Sequence, residues 1–418
     1  MNIRDIENAF QPAIEVKDPK RFAGRKSYVQ DAYRALLSEG TNIAVVGNRG
    51  IGKSSLARQI VSMASGHDDL LKKLSIDTDA QAPDFLATYF ACGNSVRTLG
   101  DLLNSLLTDS DALGSWIYDI PSTKTIIEKY APKFNAGFAS LGGEKSTSTT
   151  SSKAIQQHDV ESVFTNVVRA LVQECVATDG LIIVVDEFDQ IKDPTGFASF
   201  LKSLATNVPK VRFCIVGVAQ DIQQLMKEHA SADRLFSGSV LTLPPMNPEE
   251  LTEIIEIAES SIKGSIVFDE SARRTLVKLA QGHPYMIHLI GKDALKQAFL
   301  KKDETITQAD IESALRGIAE RGTDPVLEGR YKKAVASSQH REIVLRAMAN
   351  SVSGDDGEIQ TTAAYQQALT EGVENSSQYV GHLTTEQFGE ELVKVRERYY
   401  RFRDSLFRTY VTLRPPIF

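Results

Sequence analysis

Tryptophan occurs once and cysteine three times in this 418-residue chain. No apolar run approaches the ~20 residues that a membrane-spanning helix requires. Cys92, Cys175 and Cys214 stand far apart in apolar surroundings, which gives no metal-binding spacing. They read as reduced core thiols of a cytoplasmic protein. The first ten residues lack the apolar centre of a secretion signal. Basic residues number 47 against 54 acidic ones, a net charge of −7, so only a local surface could attract nucleic acid. No internal repeat is visible, which excludes a solenoid sensor. With 42% hydrophobic and 24% charged residues, the composition is that of a globular protein with room for two or three domains.

Against these absences stands one dense motif. Ile43 to Ser55 reads IAVVGNRGIGKSS, an apolar run ending at Gly47, then glycines and a Gly52-Lys53-Ser54 triplet. The spacing G-x-x-x-x-G-K-S is that of a P-loop. Gly47, Gly50 and Gly52 let the backbone curl so that N–H groups face phosphate oxygens, and Asn48, Arg49, Ile51 and Ser55 complete the cradle. The helix beginning near Lys53 adds the positive end of its dipole. Lys53 is placed to reach β- and γ-phosphates, and the Ser54 hydroxyl to ligate Mg²⁺.

A second motif, LIIVVDEFD from Leu181 to Asp189, reads as a strand buried on both faces that ends in Asp186 and Glu187. In a P-loop protein such a strand end holds Mg²⁺ through Asp186, while Glu187 polarises water as general base. Asp189 reads as a cap for the following helix. Strands at about 85–92 and 211–218, with helices near 27–38, 53–64, 96–107, 159–177 and 194–206, give an alternating pattern. The expected fold is α/β, a doubly wound parallel sheet with its ligand at the strand C-termini. Residues 108–158 read as an irregular insertion, with the polar stretch 142–152 mobile. The nucleotide core is expected over 1–246. Pro248-Glu249-Glu250 opens a helical lid over 247–320 in about four segments. A polar break at 322–329 leads to a third unit over 335–418.

This order of motifs resembles the AAA+ ATPases of the Orc1/Cdc6 type and the related STAND ATPases of prokaryotes. The resemblance implies ATP and Mg²⁺ as cofactors, ATP hydrolysis, a helical lid and a C-terminal winged-helix domain. Phe22, Gly24 and Arg25 match an F-x-G-R element that seats adenine and ribose. Gln220 stands at the sensor 1 position usually held by asparagine. Arg234 matches a region that supplies an arginine finger, or else is a surface arginine in an ion pair. Pro284, in Gly282-His283-Pro284, resembles the G-x-P element that packs near adenine. His283 is a minor phosphate candidate or a solvated loop histidine. No sensor 2 arginine is evident, although Arg273 and Arg274 lie nearby, and this favours the STAND-like reading. The end, Tyr399 to Arg408, resembles a signature that closes the winged-helix domain. Residues 394–414 hold seven basic and two acidic side chains.

The function expected is an ATP-dependent switch that controls self-assembly or a separate effector protein. The alternative is duplex DNA binding of the initiator kind through 394–414. A GTPase is disfavoured, because Gln190-Ile191-Lys192-Asp193 has its lysine out of register with a guanine-reading N-K-x-D motif.

Overall fold

β-branched runs set the architecture. β1 (Ile43–Gly47), β2 (Phe85–Ala91), β3 (Gly180–Asp186), β4 (Val211–Gly217) and β5 (Val240–Leu243) form one parallel sheet in the order β2-β3-β4-β1-β5. β1, β3 and β4 are buried at every position, as strands covered on both faces must be. This computed structural model describes residues 2–78, 82–130, 157–218, 233–321, 324–351 and 357–418. The chain divides into two units, one of residues 15–47 and 53–244, the other of residues 1–14, 48–52 and 245–418.

In chain order the first helices are α1 (Ile3–Ala9), α2 (Lys26–Leu37), α3 (Lys53–Ala64), α4 (Asp69–Lys73), α5 (Leu99–Thr108), α6 (Ser115–Asp119), α7 (Pro121–Tyr130), α8 (Gln157–Gln173) and α9 (Phe197–Asn207). All but α1 belong to the first unit. Leu102 and Leu106 of α5, Phe164 of α8 and Phe197 of α9 share a core with Ile183 of β3 and Phe213 of β4. Phe164 meets Phe200 edge-on at 5.7 Å, and Phe197 meets Phe213 at 5.8 Å. The doubly wound α/β core expected from the alternation is therefore present.

Three local expectations for the first unit need correction. Of the stretch 108–158, the described residues up to Tyr130 are helical rather than irregular. Ser110–Gly114 forms a π-turn, α6 and α7 follow, and Leu113, Ile117 and Ile127 are buried in the same core. Gly114 and Pro121 interrupt the apolar period that would have revealed these helices. The polar stretch 142–152 lies outside the described residues. Cys175 is exposed, in a turn after α8 with φ +53°, while Cys92 and Cys214 are buried. Asp189 sits inside a 3₁₀ turn, and α9 instead starts after Gly196.

The second unit contains four helices over the expected lid region: Pro248–Ser261, Glu270–Ala280, Pro284–Lys301 and Gln308–Arg321. The first opens with a capping box between Asn247 and Glu250. Where a polar break was expected, Pro325–Val335 forms a helix, because Asp324 caps the N–H groups of Val326 and Leu327 and Pro325 takes the first position. Helices Gln339–Asn350, Thr361–Thr370 and Ser376–Leu383 accompany an antiparallel sheet in which Tyr399–Phe402 lies between Ile359–Gln360 and Leu392–Arg396. Helix Ser405–Leu413 closes the fold. Among the described residues, no helix is long and apolar enough to cross a membrane.

Near its end the chain is tied back by a buried ion pair. Arg414 grips both carboxylate oxygens of Glu328 at 2.8 Å, and the Tyr410 hydroxyl donates to the same group at 2.7 Å. Burial alone would raise the Glu328 pKa. The hydrogen bonds and charge of Arg414, with the bond from Tyr410, outweigh it and hold the group at about 2. A carboxylate depressed from 4.5 contributes stability that is present above pH 4.5 and lost as pH falls toward 2. Glu328→Gln is expected to cost about 3 kcal/mol at neutral pH. Melting curves between pH 5 and 2 should show the difference between variant and parent shrinking as pH falls.

Candidate functional site

All five strands of the sheet run parallel, so their C-terminal ends share one edge. That edge carries the end of β1 at Gly47, the end of β3 at Asp186 and the end of β4 at Gly217. Val46 pairs with Gly217 and Val185 with Ile215, which keeps these ends level.

After β1 the backbone turns through Gly50 at φ +71° and Gly52 at φ +96°, then enters α3 at Lys53. Both angles lie in the left-handed region that glycine alone enters freely. Asn48 and Arg49 are exposed, and Ile51 is buried beneath the turn. Lys53 and Ser54 occupy the first two positions of α3, where N–H groups lack helical acceptors. The Ser55 hydroxyl instead accepts the Val16 N–H at 3.0 Å. Gln59, fully buried one turn later, donates to the carbonyls of Val16 and Lys17, both at 3.0 Å. These bonds seat the segment ahead of the loop on α3.

Asp186 is only 3% exposed, while Glu187 beside it is exposed. Glu187 takes a left-handed conformation, φ +53°, that turns the chain sharply at the strand end. One Asp186 oxygen accepts the Glu187 N–H at 2.7 Å, and the other accepts the hydroxyl of Tyr89 on β2. Burial, and then the neighbouring Asp186 charge, push the Tyr89 pKa upward, so the phenol stays a donor. Burial followed by the charges of Asp186, Glu187 and Asp189 pushes the Cys92 thiol up to about 12, which keeps it protonated.

Phe22 is buried and its carbonyl accepts from Lys73. Gly24 and Arg25 both have positive φ and form the turn into α2, with the Arg25 guanidinium buried and 5.8 Å from the Tyr28 ring. Gln220 lies outside the described residues. Arg234 is exposed on a 3₁₀ turn, Asp233–Phe236.

In the second unit Pro284 starts its helix directly after His283. Gly282 has φ +83°, and a Cβ there would come within 2.4 Å of Pro245, so the Gly-His-Pro sequence answers a close backbone approach. His283 is 2% exposed rather than solvated, with its Nε2 3.0 Å from the Ser405 hydroxyl. Burial lowers its pKa, so near neutral pH it is an uncharged ring with no cation to offer phosphate. Residues 48–52 group with this unit. A Cβ on Gly52 would lie 3.9 Å from Pro284 Cγ, and one on Gly50 would lie 3.0 Å from Leu406 Cδ2 and 3.3 Å from Tyr285 Cβ. Arg273 bonds Glu259 and the Phe268 carbonyl, and Arg274 bonds Glu270. Both guanidinium groups thus have local acceptors.

Sequence reasoning missed Tyr89 and its neighbour Arg58, whose guanidinium lies 3.3 Å from the Tyr89 ring centroid. The available signal was a tyrosine near the end of a strand otherwise suited to burial. Gly50→Ala is expected to destabilise the protein by about 1–2 kcal/mol through left-handed strain, which chemical denaturation would read.

The family described as Novel STAND NTPase 1 matches residues 9–413. Among curated proteins none matches the sequence. Similar solved structures include Cdc6p from Pyrobaculum aerophilum, at 12% identity and TM-score 0.47, covering 97% of each chain. A Walker-type ATPase of Pyrococcus abyssi aligns at 12% identity and TM-score 0.49, covering 93% of this chain and 95% of its own. The Aeropyrum pernix ORC2 protein, in ADPNP–ADP complexes, aligns at 17% identity and TM-score 0.47, covering 98% and 97%. With a family match running almost from end to end and a P-loop between β1 and α3, the chain belongs to the Novel STAND NTPase 1 family of P-loop NTPases.

Proposed function

We propose that the protein is an ATP-dependent molecular switch that binds Mg-ATP, hydrolyses it and controls self-assembly or a separate effector protein. The observation that carries this reading is the shared strand-end edge, with the Lys53 helix start after β1 and the buried Asp186 beside exposed Glu187 after β3. The donor set fits a hard divalent cation, a serine hydroxyl and a carboxylate. Among the described residues no group of three or more His, Cys, Asp and Glu could hold a metal alone. A cation there therefore depends on the nucleotide's own oxygens, which is how Mg²⁺ enters phosphate sites. When bound, Mg²⁺ neutralises charge on the β- and γ-phosphate oxygens.

In this reading the residues divide the work. Backbone N–H groups of 48–52 and the start of α3 face the phosphates, and the Lys53 ammonium meets the β- and γ-oxygens. Ser54 and Asp186 hold the cation. Glu187, exposed and turned out of the strand, takes the proton of the attacking water. Phe22, Gly24 and Arg25 flank the adenosine, Gln220 orients water, and Arg234 supplies a guanidinium to a neighbouring copy. The lid over 247–320 and a winged-helix unit over 335–418 change arrangement with nucleotide state.

Duplex DNA binding remains the second reading, and one observation favours a narrower form of it. Four of the seven cations over 394–414 are engaged within the fold: Arg396 with Glu358, Arg403 with Glu390, Arg408 with the carbonyls of Ala349 and Ser351, and Arg414 with Glu328. Lys394, Arg398 and Arg401 are left to meet phosphates, and a footprint of three contacts gives weak, salt-sensitive binding.

Mass photometry in Mg-ATP, in ADP and without nucleotide tests the switch. The expected result is ATP-dependent oligomers without DNA, lost in Lys53→Ala; identical assembly by parent and Lys53→Ala would refute it. Glu187→Gln should keep nucleotide binding and lower phosphate release by roughly 10²–10⁴-fold. Assembly only with duplex, abolished by Arg398→Glu with Arg401→Glu, would establish the DNA reading instead.

A further inference from the structure

We infer that Tyr89 is a positioning residue for the Asp186 carboxylate, and that Glu15 and Arg58 clamp Tyr89 in that task. This rests on the reading above, in which Asp186 holds the cation that accompanies the nucleotide.

The geometry begins in the sheet. Tyr89 on β2 pairs with Val184 on β3, two residues before Asp186. The two side chains therefore share a face on a diagonal, a distance that a tyrosine can span. Its hydroxyl donates to one Asp186 oxygen, while the Glu187 N–H occupies the other at 2.7 Å. A carboxylate held at both oxygens cannot rotate about its Cβ–Cγ bond. Each oxygen keeps a second lone pair for a cation or its water.

The Tyr89 ring is itself fixed. The Arg58 guanidinium lies over it, 3.3 Å from the centroid, an attraction between a cation and the negative face of the ring. Arg58 is held in turn by Glu15, with its Nε and a terminal nitrogen both 2.8 Å from the same carboxylate oxygen. Arg58 stands four residues after Ser54 on α3, hence on the same helical face. The chain Glu15–Arg58–Tyr89–Asp186 thus ties the helix that carries Ser54 to the carboxylate at the end of β3. It sets the relation between the two protein groups that meet one ion. Outer-shell partners of metal ligands commonly govern affinity by 10–100-fold, and Tyr89 has that position here.

The test compares affinity for a fluorescent, non-hydrolysable ATP analogue in Mg²⁺ and in EDTA. Parent, Tyr89→Phe, Arg58→Gln and Asp186→Asn proteins are each titrated, and their melting temperatures are recorded. In the parent, Mg²⁺ tightens binding, and Asp186→Asn removes that gain. Tyr89→Phe, which keeps the ring under Arg58, should leave the EDTA affinity within twofold and shrink the Mg²⁺ gain about tenfold or more. Arg58→Gln, which keeps the phenol and removes its clamp, should shift the same ratio by a smaller factor. A Tyr89→Phe protein with the full Mg²⁺ gain overturns the inference while leaving the switch reading intact. An equal loss in EDTA and Mg²⁺ also overturns it, since a purely structural role would act on both. A parent that binds no nucleotide, or gains nothing from Mg²⁺, overturns the underlying reading and this inference together.

Discussion

A strand covered on both faces has nowhere to put a charge except at its ends, and much of this chain's chemistry follows from that constraint. β1, β3 and β4 are buried throughout, so a carboxylate on β3 is sustainable only where the strand meets the loop edge. Asp186 occupies that last position and is supplied with two donors. Arg212 shows the same rule at the opposite end of β4. It is 6% exposed and spends its charge on the carbonyls of Ala35 and Leu36 at the end of α2, where orphan acceptors collect. Parallel order then gathers every acidic and glycine-rich strand end on one edge.

What the sequence makes legible is local. The glycine spacing from Gly47 to Gly52 states its own backbone angles, and Gly50 and Gly52 adopt them. The runs ending at Asp186 and Gly217 announce buried strands because β-branched residues fill them. Asn247 and Glu250 announce a helix start. What stayed hidden depends on residues distant in sequence. Tyr89 reads as one more strand aromatic until β2 is laid beside β3. The helices from Ser115 to Tyr130 are masked by Gly114 and Pro121. α1 is too short to stand out, and its neighbour Phe10 is legible only through contact, with its ring filling the space beside Gly291.

Charge counts proved the least transferable signal. Seven basic residues over 394–414 suggest a cationic surface, yet four of them are paired with acceptors of this same chain, two of those at the surface. Arg414 alone satisfies a buried carboxylate, stacks 4.4 Å from the Tyr331 ring and donates to the Pro415 carbonyl. Each such pairing removes a cation from any outward-facing field, and composition cannot distinguish a spent arginine from an available one. The same holds for Arg273, whose placement near a proposed phosphate site in sequence is countered by its bond to Glu259.

The seating of Val16 and Lys17 on α3 has an evolutionary consequence. Gln59 and Ser55 grip this segment through the Val16 and Lys17 carbonyls and the Val16 N–H, never through the Val16 or Lys17 side chains. Recognition written in backbone atoms is indifferent to what those two residues are, with proline at position 16 the exception because it has no N–H. Divergence can therefore accumulate at positions 16 and 17 while their two receptors on the helix stay under selection. Relatives would be joined by a conserved pair of polar residues gripping a leader whose letters no longer align.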